Sequence, residues 1–244
     1  MRSRLLAGVP ALILLASFSA CNDDDPTATD DNTPSDAPTS GGTSAAGGTA
    51  CNFVETGGAA REVELPAATT DLSGEVPAVL HTSIGDLKVA LDADKAPCTV
   101  ASFSSLAEQG YYDNTSCHRQ GNDPGFEFLQ CGDPYYDPEA ETQDPAVGTG
   151  NPGYTIPDEI DGTETYEAGT LAMANTGVAD SGGGQFFIVF GDSQFPPSYT
   201  VWGHLDAASI ALVKKAAASG NDGSSPAGGG APNTPVTFES IDIG

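Results

Sequence analysis

The chain predicts a mainly β domain, an antiparallel barrel or sandwich whose ends are covered by helices. Two observations carry this. Short apolar runs separated by turn residues recur from Ala78 to Ile243, and two well-separated segments, Val100–Ala107 and Ile210–Ala217, repeat apolar residues at helical spacing with strand-like runs between them. A length of 244 residues fits one such domain and a tail.

The tail comes first. Arg2 and Arg4 precede an apolar run from Leu5 to Phe18, shorter than the ~20 residues of a bilayer span but suited to the core of an export signal. Ser19-Ala20-Cys21 resembles the lipobox of bacterial lipoproteins, with Phe18 where Leu is usual. Residues 1–20 therefore read as a signal peptide and Cys21 as an acylation site, the alternative being ordinary cleavage near Ala20. Either route exports the chain, lipid-anchored at the outer face of the cell membrane or secreted. From Asn22 to Ala50 there are six Asp, no basic residue and no aromatic, too little apolar surface to offset ordering entropy. Residues 21–50 read as a disordered tether, 51–76 as a pre-domain segment and 77–244 as the domain, with ordered structure expected to begin between Glu62 and Val76.

Within the domain, Ala78–His81 and Leu87–Leu91 read as strands around a Ser83-Ile84-Gly85-Asp86 turn. Pro97–Ala107 reads as a helix, with Val100, Phe103, Leu106 and Ala107 on one face and Gly110 as its C-terminal cap. Leu171–Ala174, Gln185–Phe190 and Thr200–Leu205 are strand candidates. A second helix starts at Asp206 as N-cap and runs to Gly220, and Val236, Phe238, Ile241 and Ile243 suggest a last strand after a turn-rich stretch.

Composition narrows the function. Eight Lys and Arg against 34 Asp and Glu give a net charge of −26, which argues against nucleic acid, whose binding rests on cations neutralising phosphates. If Cys21 is acylated, Cys51, Cys98, Cys117 and Cys131 remain, an even number in an oxidising compartment with three possible connectivities. Cys117 with Cys131 is the favoured pair if their runs are antiparallel neighbours. No C-x-x-C pair exists and His81, His118 and His204 are scattered, so no metal site is expected. Gly148–Gly153 satisfies G-x-G-x-x-G but lacks the flanking strand and helix of a dinucleotide site. The acids from Asp133 to Asp144 lack EF-hand spacing and read as a solvated loop that favours basic client segments.

Arg119 stands out as the only arginine after Arg61, in Cys117-His118-Arg119 and ahead of Pro124-Gly125-Phe126-Glu127-Phe128-Leu129-Gln130. His118-Arg119, Pro124-Gly125-Phe126 and Gln130-Cys131-Gly132-Asp133 are followed by Leu171-Ala172-Met173-Ala174-Asn175, Gly184-Gln185-Phe186-Phe187-Ile188 and Tyr199-Thr200-Val201-Trp202-Gly203. In this order they resemble cyclophilin-type peptidyl-prolyl cis/trans isomerases over about residues 77–244. The resemblance implies a closed eight-stranded antiparallel β-barrel capped by two α-helices. It also implies a cofactor-free enzyme that accelerates X-Pro rotation in proline-containing segments of exported or envelope proteins, and nothing suggests more than a monomer.

That chemistry needs no nucleophile. The barrier of about 18–20 kcal/mol comes from amide resonance. A catalyst must hold the proline ring and donate a hydrogen bond to the twisted amide, whose nitrogen regains a lone pair, and a guanidinium suits that role. By the resemblance, Arg119 is the catalytic donor, and Gln130 and Gln185 bind peptide backbone and orient it. Ala174 and Asn175 pair with the substrate main chain before the proline, Phe187 floors the proline pocket, and His118, Phe126, Phe128, Phe195 and Tyr199 are further substrate-side positions.

Several positions depart from the better-known pattern. Extra residues after Arg119 and one between Phe126 and Gln130 leave open whether Phe126 or Phe128 forms the pocket wall, and counting back from Gln130 puts Glu127 there. Tyr199 replaces a histidine and Gln194-Phe195 a Trp-Leu pair. Trp202 aligns with a core phenylalanine, so the missing pocket indole predicts weak cyclosporin inhibition. Two functions of different class follow: an active isomerase, or a binding module whose pocket Glu127, Gln194 and Tyr199 have altered. A ligand-binding envelope lipoprotein is a remoter third.

Overall fold

A computed structural model describes residues 48–244. The signal peptide, Cys21 and nearly all of the tether lie outside the described residues. In chain order the first elements are β1 (Thr49–Ala50), β2 (Val54–Glu55), β3 (Thr69–Thr70), β4 (Glu75–Thr82), β5 (Gly85–Asp92) and α1 (Pro97–Glu108). β6 (Thr115–Ser116), β7 (Arg119–Asp123), β8 (Phe126–Cys131), β9 (Tyr154–Thr155), β10 (Thr170–Met173) and β11 (Phe186–Val189) follow. β12 (Val201–Leu205), α2 (Ala207–Ala217) and β13 (Thr237–Ile243) complete the chain.

Nine of these strands form one curled antiparallel sheet in the order β6-β13-β4-β5-β12-β10-β11-β8-β7, one strand more than the resemblance implies. Its two edge strands, β6 and β7, are consecutive in the chain with only Cys117-His118 between them. Cys117 N–H donates to Val236 and Gln120 exchanges backbone bonds with Gly230, so the stretch 115–120 touches both sides of the curl.

Period-two alternation divides the sheet into two apolar clusters. Leu129, Cys131, Leu171, Met173, Phe186, Ile188 and Trp202 face the main core with both helices. Phe103 of α1 lies 4.5 Å from Trp202 and 5.8 Å from Phe186, ring centre to ring centre. Their neighbours Phe128, Ala172, Phe187, Val189 and Val201 face the other way and build a second cluster.

Both helices end for identifiable reasons. Asp206 accepts from Ser209 N–H at 2.7 Å, capping α2. After α1 the Gly110 N–H bonds Ala107 and the Tyr111 N–H bonds Leu106, a paired closure that Gly110 permits at φ +67°. The start of α1 has no local cap. The distant Glu159 carboxylate accepts from the N–H groups of Cys98 and Thr99 at 2.9 and 2.8 Å instead.

Ordered pairing begins earlier than the sequence suggests. β1 pairs with β3, β2 pairs with β9, and Cys51 is disulfide-bonded to Cys98 on α1. Arg61 Nη1 donates to the carbonyls of Gly110, Tyr111 and Asp113 at 2.8–2.9 Å. A covalent bridge, a guanidinium and added strand pairs replace the apolar run whose absence made the segment look unstructured. A second disulfide joins Cys117 to Cys131.

Candidate active site

The hairpin β7–β8 presents the site. Pro124-Gly125 turns the chain, Gly125 taking φ +81° as the second turn residue. Arg119 pairs with Gln130, Gly121 with Phe128 and Asp123 with Phe126. Phe126, Phe128 and Gln130 therefore share a face, and Glu127 belongs to the opposite one, beside Gly191. Both phenylalanines face Arg119, whose guanidinium carbon lies 5.0 Å from the Phe128 ring centre and 5.6 Å from that of Phe126.

The guanidinium is held by neutral acceptors. Nε donates to the Gly228 carbonyl at 2.9 Å, Nη2 to Ala227 at 2.7 Å and Nη1 to Gln130 Oε1 at 3.3 Å. Among the described residues the ion pairs are those of His81 with Asp86 and Asp242, so no carboxylate neutralises Arg119. Burial lowers its pKa from the ordinary value, against Tyr199, yet an arginine so placed stays charged. Of its five N–H groups, one on each terminal nitrogen has no partner among the described residues.

A directional relay continues from Gln130. Its Nε2 donates to Gln185 Oε1 at 3.0 Å, and Gln185 Nε2 donates to the Gly150 carbonyl at 3.0 Å. Each amide oxygen thus accepts from the residue on the arginine side, which orients both side chains.

Below Arg119 lies an aromatic basin. Phe187 has Tyr199 and Phe195 each at 5.3 Å and Phe128 at 6.1 Å, and Phe195 is 5.6 Å from Phe126 and Phe128. Tyr166, which nothing in the sequence pattern singles out, is buried in the same cluster, and its hydroxyl accepts from Tyr199 N–H at 3.0 Å. Beside the basin, Asn175 spends its side chain on Ser198 and Gly177, while neither of its main-chain groups has a partner among the described residues. Ala174 N–H bonds Gln185.

Two further residues behave unlike their sequence reading. Asp133, counted with the solvated acids, is fully buried and accepts from the N–H groups of Tyr135 and Gly148, pinning the loop that carries Gly150. Asp137, Glu139, Glu141 and Asp144 of that run are exposed. His118 has a buried ring Nδ1 without a hydrogen-bond partner among the described residues. Burial brings its pKa down to about 4, with Asp133 opposing and Arg119 assisting, so the ring is neutral at pH 7. The structure thus gathers Arg119, Phe126, Phe128, Gln130, Ala174, Asn175, Gln185, Phe187, Phe195 and Tyr199 around one site, with His118 behind the arginine. The Ala227–Gly228 contact is new: its Gly228-Gly229-Gly230 run signals a turn and no more.

A family model described as cyclophilin type peptidyl-prolyl cis-trans isomerase matches residues 78–241, and the chain belongs to that family. It is 39% identical over 202 residues to a probable peptidyl-prolyl cis-trans isomerase B of Mycobacterium leprae, covering 75% of this chain and 62% of that protein. The chain therefore spans somewhat under two thirds of that relative. Among solved structures it resembles a Cryptosporidium parvum cyclophilin type isomerase, with a TM-score of 0.56 and 27% identity over 70% of this chain and 98% of the other. A second structure of that protein was determined in the presence of the dipeptide Ala-Pro.

Proposed function

We propose that this chain is a peptidyl-prolyl cis/trans isomerase acting on proline-containing segments of exported or envelope proteins. The observation that carries the reading is the setting of Arg119: fixed by two carbonyls and Gln130, with no carboxylate among the described residues to neutralise it and with N–H groups left without a described partner over an aromatic basin. The proline ring fills the basin, and the main chain before it pairs with Asn175. As the amide twists and loses conjugation, its nitrogen lone pair accepts from the guanidinium. That bond strengthens toward the transition state, the condition for lowering a barrier. No proton moves and no covalent bond forms.

The Ala-Pro dipeptide used with the Cryptosporidium structure supports a prolyl ligand for this site by analogy. The binding-module alternative loses one of its three supports, because Glu127 faces away from the basin. With β6 and β7 taken as one bent strand, the nine-stranded sheet becomes a closed eight-stranded barrel. In the same reading, export follows from residues 1–20, anchoring from Cys21, and the protein acts as a monomer without a cofactor. The deciding experiment is a protease-independent measurement of cis/trans exchange in an Ala-Pro peptide. Parent protein accelerates exchange and Arg119→Ala loses roughly a hundredfold to a thousandfold of that rate; equal rates for the two overturn the reading.

A further inference from the structure

Residues 48–77 precede the segment that the family model matches, yet part of them reaches the site. Beside Gln130 and Gln185 lies a cleft of about 390 Å³, bounded by Thr149, Gly150, Ala174 and Asn175 and, from the N-terminal arm, by Thr56. Among the described residues none that lines it is acidic or basic, in a chain of net charge −26.

The arm is built to stay there. Thr56 and Gly57 N–H groups donate to the Gly153 carbonyl at 2.8 and 3.1 Å, and Ala60 N–H donates to Asn151 at 2.8 Å. Phe53 packs edge-on to Tyr154, whose hydroxyl lies 2.8 Å from that of Ser102 on α1. The Cys51–Cys98 disulfide and Arg61 fix the arm's two ends to the start and finish of the same helix.

We infer that Thr49–Arg61 is a specificity arm: with Thr56 it completes an uncharged subsite for a residue upstream of the client proline. This rests on the isomerase reading. A client strand paired on Asn175 advances about 3.3 Å per residue, so residues two or three before the proline reach the cleft that Asn175 also lines. Hydroxyls, amides and backbone groups there can replace the water around a neutral hydrogen-bonding side chain. A charged side chain loses hydration and finds no counter-charge. The preferred client therefore carries Gln, Asn, Ser or Thr upstream of its proline.

The test uses the full chain and three peptides with the same Ala-Pro bond: acetyl-Ala-Pro-amide, acetyl-Ala-Gln-Ala-Pro-amide and its Glu counterpart. In the parent the Gln peptide has a KM about fivefold below the other two. In Thr56→Arg the preference reverses, the Glu peptide becoming the tighter substrate, an outcome that a merely structural role of Thr56 does not produce. The double substitution Cys51→Ser, Cys98→Ser releases the arm and removes the Gln preference. An unchanged order of KM values in Thr56→Arg, or equal values for Gln and Glu in the parent, overturns the inference. If exchange in Arg119→Ala equals that of the parent, it is the isomerase reading that fails; if Arg119→Ala loses turnover while Thr56→Arg keeps the parental order, only the arm inference fails.

Discussion

The surroundings of Arg61 and Arg119 use the same side chain for opposite ends. Both guanidiniums bind backbone carbonyls in an acidic protein. At Arg61 a single nitrogen serves three carbonyls beyond the end of α1, where orphan carbonyls gather and a cation is favoured. At Arg119 three nitrogens share three acceptors and leave N–H groups over. The contrast teaches how position and charge separate. Carbonyl dipoles hold a guanidinium in place without cancelling its charge, and what its remaining N–H groups face decides whether the residue supports the fold or can act on a ligand: at Arg119 they stand beside the Phe126 and Phe128 rings of the basin.

The largest expected effect tests that division directly. Arg119→Ala removes roughly 3–4 kcal/mol of transition-state stabilisation, seen as the exchange-rate loss above, while its melting temperature falls less than that of Arg61→Ala, because its bonds to Ala227 and Gly228 are exposed to solvent. A variant that melts early and keeps its rate would place Arg119 in the structural class with Arg61.

Next in size is the loop that holds Arg119. Gly229 has φ +72°, and a Cβ there would lie 2.1 Å from the Gln120 carbonyl, so Gly229→Ala must displace the Ala227–Gly228 carbonyls. The expected result is a kcat lower by roughly tenfold to a hundredfold, the scale of a misplacement near 1 Å, with KM nearly unchanged. Gly74 shares the positive φ, at +69°, with nothing within 4 Å of a Cβ. Gly74→Ala therefore carries the same backbone strain, and a kcat loss confined to Gly229→Ala isolates the arginine's positioning.

Arg61→Ala should do the reverse. Loss of a charged donor from three carbonyls costs about 2 kcal/mol, which lowers the melting temperature by roughly 4–8 °C for a domain of this size. Turnover of acetyl-Ala-Pro-amide by the folded fraction in this variant, measured well below melting, separates a stability defect from a catalytic one. A rate loss like that of Arg119→Ala would erase the comparison.

These two regions also differ in how far the sequence disclosed them. Around Arg119 the residues lie in compact runs whose alternation fixes their faces, so 126, 128 and 130 fall together once the hairpin register is known. The arm was opaque because its anchors are remote and mostly not apolar: Cys51 binds a residue 47 positions on, Arg61 reaches residues 110–113, and β2 pairs across a hundred residues. Periodicity reads only neighbours. The Glu159 cap of α1, the burial of Asp133 and the place of Tyr166 escaped for the same reason, each depending on a partner supplied by a distant loop.

The smallest effect concerns His118, which shares its surroundings with Arg119. Its folded pKa of about 4 lies below the ordinary 6.5, chiefly through burial. Between those values the unfolded chain binds the extra proton, so stability rises with pH across that window and the contribution saturates above it. His118→Asn, which cannot take up that proton, should lose less stability than the parent between pH 7 and 5.5 in urea titrations. Turnover, by contrast, should stay flat from about pH 6.5 to 9, because neither a neutral buried imidazole nor a guanidinium changes charge there. A parent rate that tracks a group titrating near 6.5 would mean that His118 is protonated in the working enzyme. The arginine beside it would then not be the site's only unneutralised cation.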